Sequence, residues 1–262
     1  MAVAGIDVGA VTVSAVILDN GSIRGHSIMQ SREEATVAAR RALDEAATRA
    51  GLDPSQIRYV VATGCGRASV IFANRHSTEV VCQARGARFL FPSAGTVLNL
   101  GAETSRALRL GVGGRVEAFV TNDKCAAGSG LFLDSMSRLL RVPVSEMGRL
   151  ALDAPEEAQV SSRCVVFAES EVISHIHRGL PVGPILAGLH KAVADRVLEL
   201  LSRVGVKGEV VVTGGMAKNQ AIIKELEARL GARLLVPDEP QIVGALGAAL
   251  IAQEAPQNAP AR

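Results

Sequence analysis

The fold is decided by an early glycine-rich stretch, Gly5-Ile6-Asp7-Val8-Gly9-Ala10-Val11-Thr12. It joins two apolar, β-branched runs, at 3–8 and 11–18, which predict a strand, a tight turn and a second strand. Asn20-Gly21 then predicts a hairpin turn into a third strand at 22–30. A carboxylate in this position, that of Asp7, can bind Mg²⁺ or its waters while the turn approaches a phosphate.

Two more glycine-rich turns follow apolar runs later in the chain. They read Asn99-Leu100-Gly101-Ala102-Glu103-Thr104 and Thr213-Gly214-Gly215-Met216-Ala217. A turn of this kind places backbone N–H groups at the carboxyl edge of a sheet, where α/β proteins bind phosphates. One such turn alone is typical of an ordinary hairpin, but three at equivalent places predict a nucleotide cleft. The P-loop and Rossmann glycine patterns are both absent.

Strands and helices alternate in a pattern that occurs twice. The predicted strands lie at 3–8, 11–18, 22–30, 57–62, 96–100, 106–110, 115–120, 209–212 and 233–236. The predicted helices lie at 33–50 (capped by Ser31), 82–91, 130–141, 166–178, 185–204, 219–230 and 242–252. This α/β pattern resembles the actin-like (ribonuclease H-like) ATPase fold, in which two duplicated subdomains surround a nucleotide cleft. We expect subdomain I at 1–94 plus 241–262. Subdomain II is expected at 95–240 and contains Cys125 and Cys164, the candidate metal ligands discussed below.

Composition argues against several classes of protein. Hydrophobic residues make up 48% of the 262, which is typical of a globular chain rather than a disordered one. No uncharged apolar run reaches the roughly 18 residues of a membrane span, and Asp7 interrupts the first apolar stretch. We therefore expect a soluble, cytoplasmic protein with no membrane partner. A net charge of +2 and 3% aromatic residues argue against nucleic acid as a partner.

The cysteines point to a metal site. Four cysteines without a secretory signal predict reduced thiols or metal ligands rather than disulfides. Cys125 and Cys164 each precede a predicted helix, whose dipole favours a thiolate or an anionic cluster, whereas Cys65 and Cys82 are interpreted as small buried residues. Two thiolates cannot complete a four-iron cluster, but a dimer that pairs two such sites supplies four. Zinc is the competing metal, although the C-x-x-C spacing of zinc ribbons is missing.

These motifs together resemble the BadF/BadG/BcrA/BcrD ATPase family. The family comprises activators of 2-hydroxyacyl-CoA dehydratases and ATP-binding subunits of benzoyl-CoA reductase. The resemblance spans Gly5 to Ala252 and is most specific at 122–130 and 164–173. It implies an actin-like ATPase that shares one [4Fe-4S] cluster between two subunits, each of which contributes Cys125 and Cys164.

The resemblance also implies roles for residues of the cleft. Asp7 would lie on the Mg²⁺ side, and Glu103 would orient the water that attacks ATP. The residues expected to bind the nucleotide are Gly9, Thr12, Asn99, Gly101, Gly214, Gly215 and Lys218. Lys218-Asn219 either contacts the adenosine or caps the following helix, and the resemblance favours the first. His175 and His177 are expected at the surface rather than as ligands.

The second glycine-rich turn departs from the pattern of dehydratase activators. Those proteins usually carry Asp-Ile-Gly-Gly-Gln-Asp, whereas this chain has Asn99 and Thr104 at the two acidic positions and Glu103 in place of Gln. In this respect the chain looks more like the D-type subunit of benzoyl-CoA reductase.

The sequence therefore predicts an ATP-binding, iron–sulfur electron-transfer subunit of an ATP-dependent benzoyl-CoA reductase. ATP hydrolysis would drive a low-potential electron from ferredoxin to the acyl-CoA-reducing subunits. The partner that shares the cluster would be a sister ATPase subunit or a second copy of the chain. One alternative is a homodimeric activator of a 2-hydroxyacyl-CoA dehydratase. Another, of a different class, is an actin-like kinase or a nucleotide-dependent scaffold without a cluster.

Overall fold

A computed structural model describes residues 1–31, 33–122, 128–161 and 164–255. The strands are β1 (Val3–Val8), β2 (Thr12–Asp19), β3 (Ser22–Gln30), β4 (Val60–Thr63), β5 (Arg75–His76), β6 (Ala94–Leu100), β7 (Ser105–Leu110), β8 (Val116–Thr121) and β9 (Glu209–Thr213). The helices are α1 (Ala35–Arg49), α2 (Glu79–Leu90), α3 (Gly130–Leu140), α4 (Val144–Leu152), α5 (Val165–His177), α6 (Val182–Val204), α7 (Gln220–Leu230) and α8 (Val243–Gln253). The strands form a five-stranded sheet of order β3-β2-β1-β4-β5 and a four-stranded sheet of order β8-β7-β6-β9.

The two sheets repeat one arrangement of strands. β1 pairs antiparallel with β2 and parallel with β4, just as β6 pairs antiparallel with β7 and parallel with β9. Asp7 near the end of β1 and Asn99 near the end of β6 therefore occupy equivalent places. The duplicated strand order predicted from the sequence is present, and it brings the glycine-rich turns to the same ends of both sheets.

Helices α2 and α8 lie between the sheets. α8 packs on the first sheet through residues such as Ala245, and α2 packs on the second through residues such as Ala84. A methyl group added to Gly247 would lie 1.8 Å from the carbonyl oxygen of Cys82, so the two helices meet backbone to backbone. Small residues at this crossing bring the sheets close enough to share one cleft.

Helices also cover the outer faces of both sheets. The alanine-rich stripe of α1 packs on the first sheet, where the Ser27 hydroxyl donates a hydrogen bond of 2.6 Å to the carbonyl oxygen of Ala42. The long helix α6 is central to the larger core over the second sheet. The central strands β1 and β6 are therefore buried on both faces, which explains their continuous apolar runs. Among the described residues, no helix is long and apolar enough to cross a bilayer.

The start of α1 differs from the prediction. The helix begins at Ala35, and its cap position is occupied by Glu34, which makes no side-chain cap hydrogen bond. Ser31 is not the cap, because its N–H donates to the carbonyl oxygen of Val11 (2.8 Å) and so extends the pairing of β2 with β3. A cross-strand contact has replaced the local capping that the sequence suggested.

Two further elements differ for reasons of packing. The predicted strand at 233–236 is reduced to a single bridge between Leu235 and Val211. Helix α4 has no predicted counterpart, because its nine residues fall short of the roughly 10–12 by which a pattern is recognised as a helix rather than a short apolar run. It forms where α6 and α7 offer a surface for its buried side chains.

The helix crossing between the sheets generates a test of the fold. We expect Gly247→Ala to lower the free energy of unfolding by about 2–3 kcal/mol, because the added methyl group overlaps backbone that cannot move aside cheaply. The control Gly183→Ala, in the first turn of α6, places a methyl group 3.4 Å from Ala154 and from the carbonyl oxygen of Leu150, and it should change stability by less than about 1 kcal/mol. Urea unfolding followed by circular dichroism measures both, and equal effects would contradict the proposed close contact.

Candidate functional site

The ends of the central strands face a deep cleft between the two sheets. Its cavity has a volume of about 1290 Å³, which is ample for a nucleoside triphosphate. All of the predicted nucleotide-site residues line it, namely Asp7, Gly9, Thr12, Asn99, Gly101, Glu103, Gly214, Gly215 and Lys218. The fold has thus brought together side chains and turns from widely separated parts of the chain.

Asp7 is half-buried at the floor of the cleft. Methyl groups added to Gly64 and Gly244 would lie 2.5 Å and 2.0 Å from its carboxylate oxygens, so both glycines leave the space that this carboxylate occupies. Burial raises the pKa of Asp7 to about 7; Glu79 raises it further, whereas Arg106 lowers it. The carboxylate is therefore held in an environment that disfavours its charge unless a cation is close.

The oxygen donors at the floor suit a hard cation such as Mg²⁺. Asp7 and Glu103 offer carboxylate oxygens, and Thr12 offers a hydroxyl. A cation beside Asp7 would offset the cost of keeping a partly desolvated carboxylate ionised. The described residues include no group of three or more His, Cys, Asp or Glu side chains that could hold a metal ion. Mg²⁺ would therefore need phosphate oxygens and water to complete its coordination, as it usually does in nucleotide sites.

The first and second glycine-rich turns have the same hydrogen bond. The N–H of Gly9 donates to the carbonyl oxygen of Thr12 (2.9 Å), and the N–H of Gly101 donates to that of Thr104 (3.0 Å). Each glycine is required, because an added methyl group would lie 3.0 Å or less from the accepting oxygen. The structure thus shows at the level of single hydrogen bonds the duplication that the sequence shows only as a pattern.

The second turn is also bonded to the start of α3. The N–H groups of Gly130 and Leu131 donate to the carbonyl oxygens of Gly101 (3.0 Å) and Ala102 (2.9 Å). The first turn of α3 is therefore fixed to the cleft wall. Since α3 follows the segment that contains Cys125, the cleft is connected by main-chain hydrogen bonds to the beginning of the helix after that cysteine.

A buried polar chain joins two strands of the second sheet to α2 beneath the cleft. Asn99 donates its amide hydrogen to the hydroxyl of Thr213 (3.1 Å), and Thr213 donates to the amide oxygen of Gln83 on α2 (3.0 Å). All three side chains are buried, so their hydrogen bonds fix the ends of β6 and β9 relative to α2. The amide of Asn99 is thereby oriented by its neighbours rather than by solvent.

The third turn leads into a capped helix. Gly214 has a φ of +88°, and its N–H donates to the carbonyl oxygen of Pro240 (2.8 Å). Asn219 is the cap of α7, since its side-chain oxygen accepts from the N–H groups of Ala221 and Ile222 (3.1 and 3.3 Å). Lys218 lines the cleft and pairs with Glu239, so the two residues of this dipeptide serve different purposes.

A family model described as "BadF/BadG/BcrA/BcrD ATPase family" matches residues 4–252. The chain belongs to this family of ATPases. The actin-like fold predicted from the sequence is confirmed as well, because solved proteins with that fold superimpose on nearly the whole chain.

Among the relatives of this ATPase are dehydratase activators and a component of a reductase. The "activator of lactoyl-CoA dehydratase" of Anaerotignum propionicum is 42% identical over 97% of this chain and 98% of its own. The D-type subunit of the benzoyl-CoA reductase of Thauera aromatica is 36% identical over 94% of this chain and 91% of its own. A solved structure of the activator of the 2-hydroxyisocaproyl-CoA dehydratase from Clostridium difficile "with bound ADPNP" is 40% identical, with a TM-score of 0.91, 96% of this chain covered and 94% of that one.

These similarities change which of the two predicted functions, reductase subunit or dehydratase activator, is better supported. The interpretation as a D-type subunit of benzoyl-CoA reductase rested on the turn at 99–104. Over the whole chain, dehydratase activators are more similar to this ATPase than the reductase component is. The comparisons therefore favour the alternative of a dehydratase activator over the benzoyl-CoA reductase assignment.

Several residues of the ATPase were missed or misplaced by sequence reasoning. Glu79, Gln83 and Arg106 line the cleft but were not predicted as site residues. The spacing of Glu79 and Gln83, one helical turn apart, was a signal for a shared face of α2. Cys65 is exposed and lines the cleft, so its interpretation as a small buried residue was wrong, whereas that of Cys82 is confirmed.

The predicted metal ligands can be followed only in part. Cys164 occupies the cap position of α5 and is half-buried, whereas Cys125 lies outside the described residues. His175 is buried, contrary to the prediction of a surface residue, because its Nε2 lies 2.7 Å from the carbonyl oxygen of Gln159. His177, two positions later, is exposed as predicted.

The raised pKa of the half-buried Asp7 makes the stability of this ATPase depend on pH. Because its pKa is raised to about 7, the folded protein binds the proton more tightly than the unfolded chain, and stability falls as pH rises from about 4 to about 7. We expect Asp7→Asn to be more stable than the wild type at pH 8 by about 2–4 kcal/mol, and nearly equal to it at pH 4.

Urea unfolding at both pH values, without nucleotide or Mg²⁺, measures this difference. The control Glu199→Gln removes a carboxylate that is 59% exposed and should alter stability little at either pH. A less stable Asp7→Asn protein at pH 8 would mean that the carboxylate is well compensated in the folded state.

Proposed function

We propose that this ATPase is the activator of a 2-hydroxyacyl-CoA dehydratase, and that it couples ATP hydrolysis to delivery of a low-potential electron. The proposal is supported by 40% and 42% identity to dehydratase activators across nearly full lengths. An actin-like kinase shares the fold at only 13% identity, and the turn at 99–104 is the one feature that favours a benzoyl-CoA reductase.

The observation that carries the proposal is the hydrogen bonding between the second glycine turn and α3. Gly101 and Ala102, which contact the phosphates in this proposal, accept from the first N–H groups of α3 at 3.0 and 2.9 Å. The Ser105 hydroxyl adds a bond of 2.6 Å to the carbonyl oxygen of Gly128, just before the helix. A change at the phosphates therefore moves the start of the helix that follows Cys125, which is the coupling that an ATP-driven electron donor requires.

ATP binds in the cleft with its phosphates against the glycine turns. The N–H groups of Gly9 and Gly101 bond within their own turns. Other N–H groups of the turns and the hydroxyl of Thr12 contact phosphate oxygens, while Gly214 and Gly215 allow close approach on the adenosine side. Asp7 holds Mg²⁺, which neutralises phosphate charge when bound. Glu103 orients the attacking water. Its carboxylate accepts a hydrogen bond from that water, and a lone pair of the water oxygen then points at the terminal phosphorus.

Cys125 and Cys164 bind a [4Fe-4S] cluster together with the same two cysteines of a second copy. Cys125 and Cys164 offer two thiolates and a four-iron cluster takes four, so in this proposal the second copy supplies the other two. The cluster supplies one-electron chemistry when bound. Cys164 contributes a thiolate at the first turn of α5, where the helix N-terminus stabilises negative charge.

The face of α5 supports this dimer. Beyond Cys164, the helix exposes Val166 and Phe167 (both 65%), followed by Ile173 and Ile176 (37% and 40%). Exposed apolar side chains on one short helix indicate a surface that another protein covers. A cluster held by Cys125 and Cys164 would supply one-electron transfer between ferredoxin and the dehydratase subunits that hold the acyl-CoA.

The proposed function is tested by reconstitution under anaerobic conditions. The protein is loaded with iron and sulfide, reduced, and mixed with 2-hydroxyacyl-CoA dehydratase subunits in the presence of ATP or ADP. We expect dehydration of the acyl-CoA with ATP alone. Activity with benzoyl-CoA reductase subunits instead, or a stable complex with a sister ATPase, would contradict the proposal in favour of the reductase.

Removal of one cluster ligand is expected to abolish cluster binding. Cys164→Ser should reduce bound iron to background and eliminate activation of the dehydratase, because a hydroxyl does not replace a thiolate in this role. The control Cys65→Ser removes an exposed thiol that lies in the cleft instead, and it should retain the wild-type iron content. Iron analysis and visible absorbance measure both, and an unchanged iron content in Cys164→Ser would contradict the ligand assignment.

A charge on the exposed face of α5 is expected to separate the two copies. Phe167→Asp should convert the dimer to a monomer, because it places a desolvated charge in an apolar contact. The control Phe119→Asp alters a ring that is 55% exposed on β8 and should leave the dimer intact. Analytical ultracentrifugation distinguishes the states, and a dimeric Phe167→Asp protein would place the interface elsewhere.

A further inference from the structure

Positively charged side chains in the wall of the cleft differ in exposure. Arg149, Lys218 and Lys224 lie at the rim and are exposed. Arg106 lies in the floor, where its side chain is only 16% exposed. A cation shielded from water acts on a neighbouring charge more strongly than an exposed one. Arg106 is therefore the described cation with the strongest effect on an anion in the depth of the cleft.

The register of β6 and β7 sets the position of Arg106. It lies directly opposite Asn99 in the antiparallel pair, so the two side chains share one face of the sheet. Asn99 carries no charge, and the ion-pair partner of Arg106 is Glu79, in the first turn of α2. The Glu79 side chain is 20% exposed and also lines the cleft.

Acidic side chains lie close enough to Arg106 to interact with the same groups, since Glu79 and Arg106 act in opposite directions on the pKa of Asp7. The carboxylates of Asp7, Glu79 and Glu103 line the same cavity as Arg106. A polyphosphate that enters this space is repelled by Glu79 and attracted by Arg106. A guanidinium matches phosphate oxygens as well as it matches a carboxylate, through paired N–H donors. The ion pair of Arg106 with Glu79 is therefore in direct competition with a contact between Arg106 and a phosphate.

We propose that Arg106 exchanges Glu79 for the terminal phosphate of ATP and stabilises the charge that develops there during hydrolysis. This inference rests on the proposed function only in taking ATP as the ligand of the cleft. It gives Arg106 a direct contact with the reacting group, and it makes Glu79 a positioning residue that holds the guanidinium in place before the nucleotide enters.

The exchange fits the chemistry of the hydrolysis step. The water oxygen forms a bond to the terminal phosphorus while the bond from that phosphorus to the bridging oxygen breaks. The electron pair of the broken bond stays on ADP, and the proton of the water passes to the phosphate product. Negative charge grows on the transferred group and the leaving oxygen, where a guanidinium is typically worth orders of magnitude in rate.

The exchange also changes the contacts of α2. Before it, Glu79 links the first turn of α2 to β7, and Gln83 links the next turn to Thr213 on β9. After it, the link through Glu79 is lost while that through Gln83 remains. Binding of a terminal phosphate therefore changes the contacts of α2, the helix that lies between the two sheets.

The inference is tested by comparing ADP with the non-hydrolysable analogue ADPNP, both with Mg²⁺, by isothermal titration calorimetry. We expect Arg106→Ala to weaken ADPNP binding at least about tenfold and ADP binding less than about threefold, with kcat for ATP lowered about 100-fold. Arg106→Lys should recover part of the loss. Glu79→Gln should instead bind ADPNP more tightly than the wild type, because it frees the guanidinium and removes a repelling charge.

A matched control lies on the same strand. Arg109 also pairs with a glutamate, Glu117, but does not line the cleft, so Arg109→Ala should leave the affinities for both nucleotides and kcat unchanged. Equal losses of ADP and ADPNP affinity in Arg106→Ala would overturn the inference. So would weaker ADPNP binding in Glu79→Gln, since that is the result of a purely structural ion pair.

The outcome is separable from that of the proposed function. If the wild type binds ADPNP but activates no dehydratase, the proposed function fails, and the signs of the Arg106 and Glu79 effects still decide the inference. If the wild type binds neither nucleotide, both are overturned. Thermal unfolding of each variant establishes that a loss of affinity does not arise from a loss of fold.

Discussion

Helix α8 approaches both β1 and α2 to the distance at which backbones touch, and the rest of the molecule depends on that contact. A methyl group on Gly5 would lie 2.0 Å from the carbonyl oxygen of Ala245, and one on Gly247 would lie 1.8 Å from that of Cys82. Larger side chains at Gly5 and Gly247 would push the packed elements apart. A side chain at Gly244 would instead fill the space that the Asp7 carboxylate occupies. The cleft is therefore a consequence of small residues at one helix crossing.

The Asp7 carboxylate in this cleft lowers the stability of the folded protein but is suited to ligand binding. A partly desolvated carboxylate that Glu79 repels weakens the folded protein at neutral pH, as the raised pKa of Asp7 indicates. The same carboxylate is suited to a cation that arrives with a nucleotide, and binding would then return the stability that folding alone lacks. The ion pair of Arg106 with Glu79 is a second example of a group placed for a ligand rather than for stability. In the inference above, it keeps a guanidinium in the cleft that an anionic ligand would contact.

The duplicated glycine turns are alike in their internal bonding but differ in what they are attached to. The turns at Gly9 and Gly101 have the same internal hydrogen bond, so the two halves present similar cradles to a ligand. Only the second is known to bond to the start of α3, among the contacts described for these turns, and α3 follows the segment with Cys125. If the proposed function holds, this attachment would transmit a change at the phosphates to the start of α3, which follows the segment that contains Cys125.

The sequence by itself determined most of the strands, the three glycine-rich turns and the cleft residues on those turns, because these depend on local patterns and on the rule that strand ends meet at a sheet edge. Tertiary structure decided the rest. Ser31 extends a sheet instead of capping a helix, and His175 is buried through a contact with Gln159. The pairing of Arg106 with Glu79 joins a strand of one sheet to the helix between both. Such contacts join residues far apart in the chain, and a local pattern carries no information about which distant surface will cover a side chain.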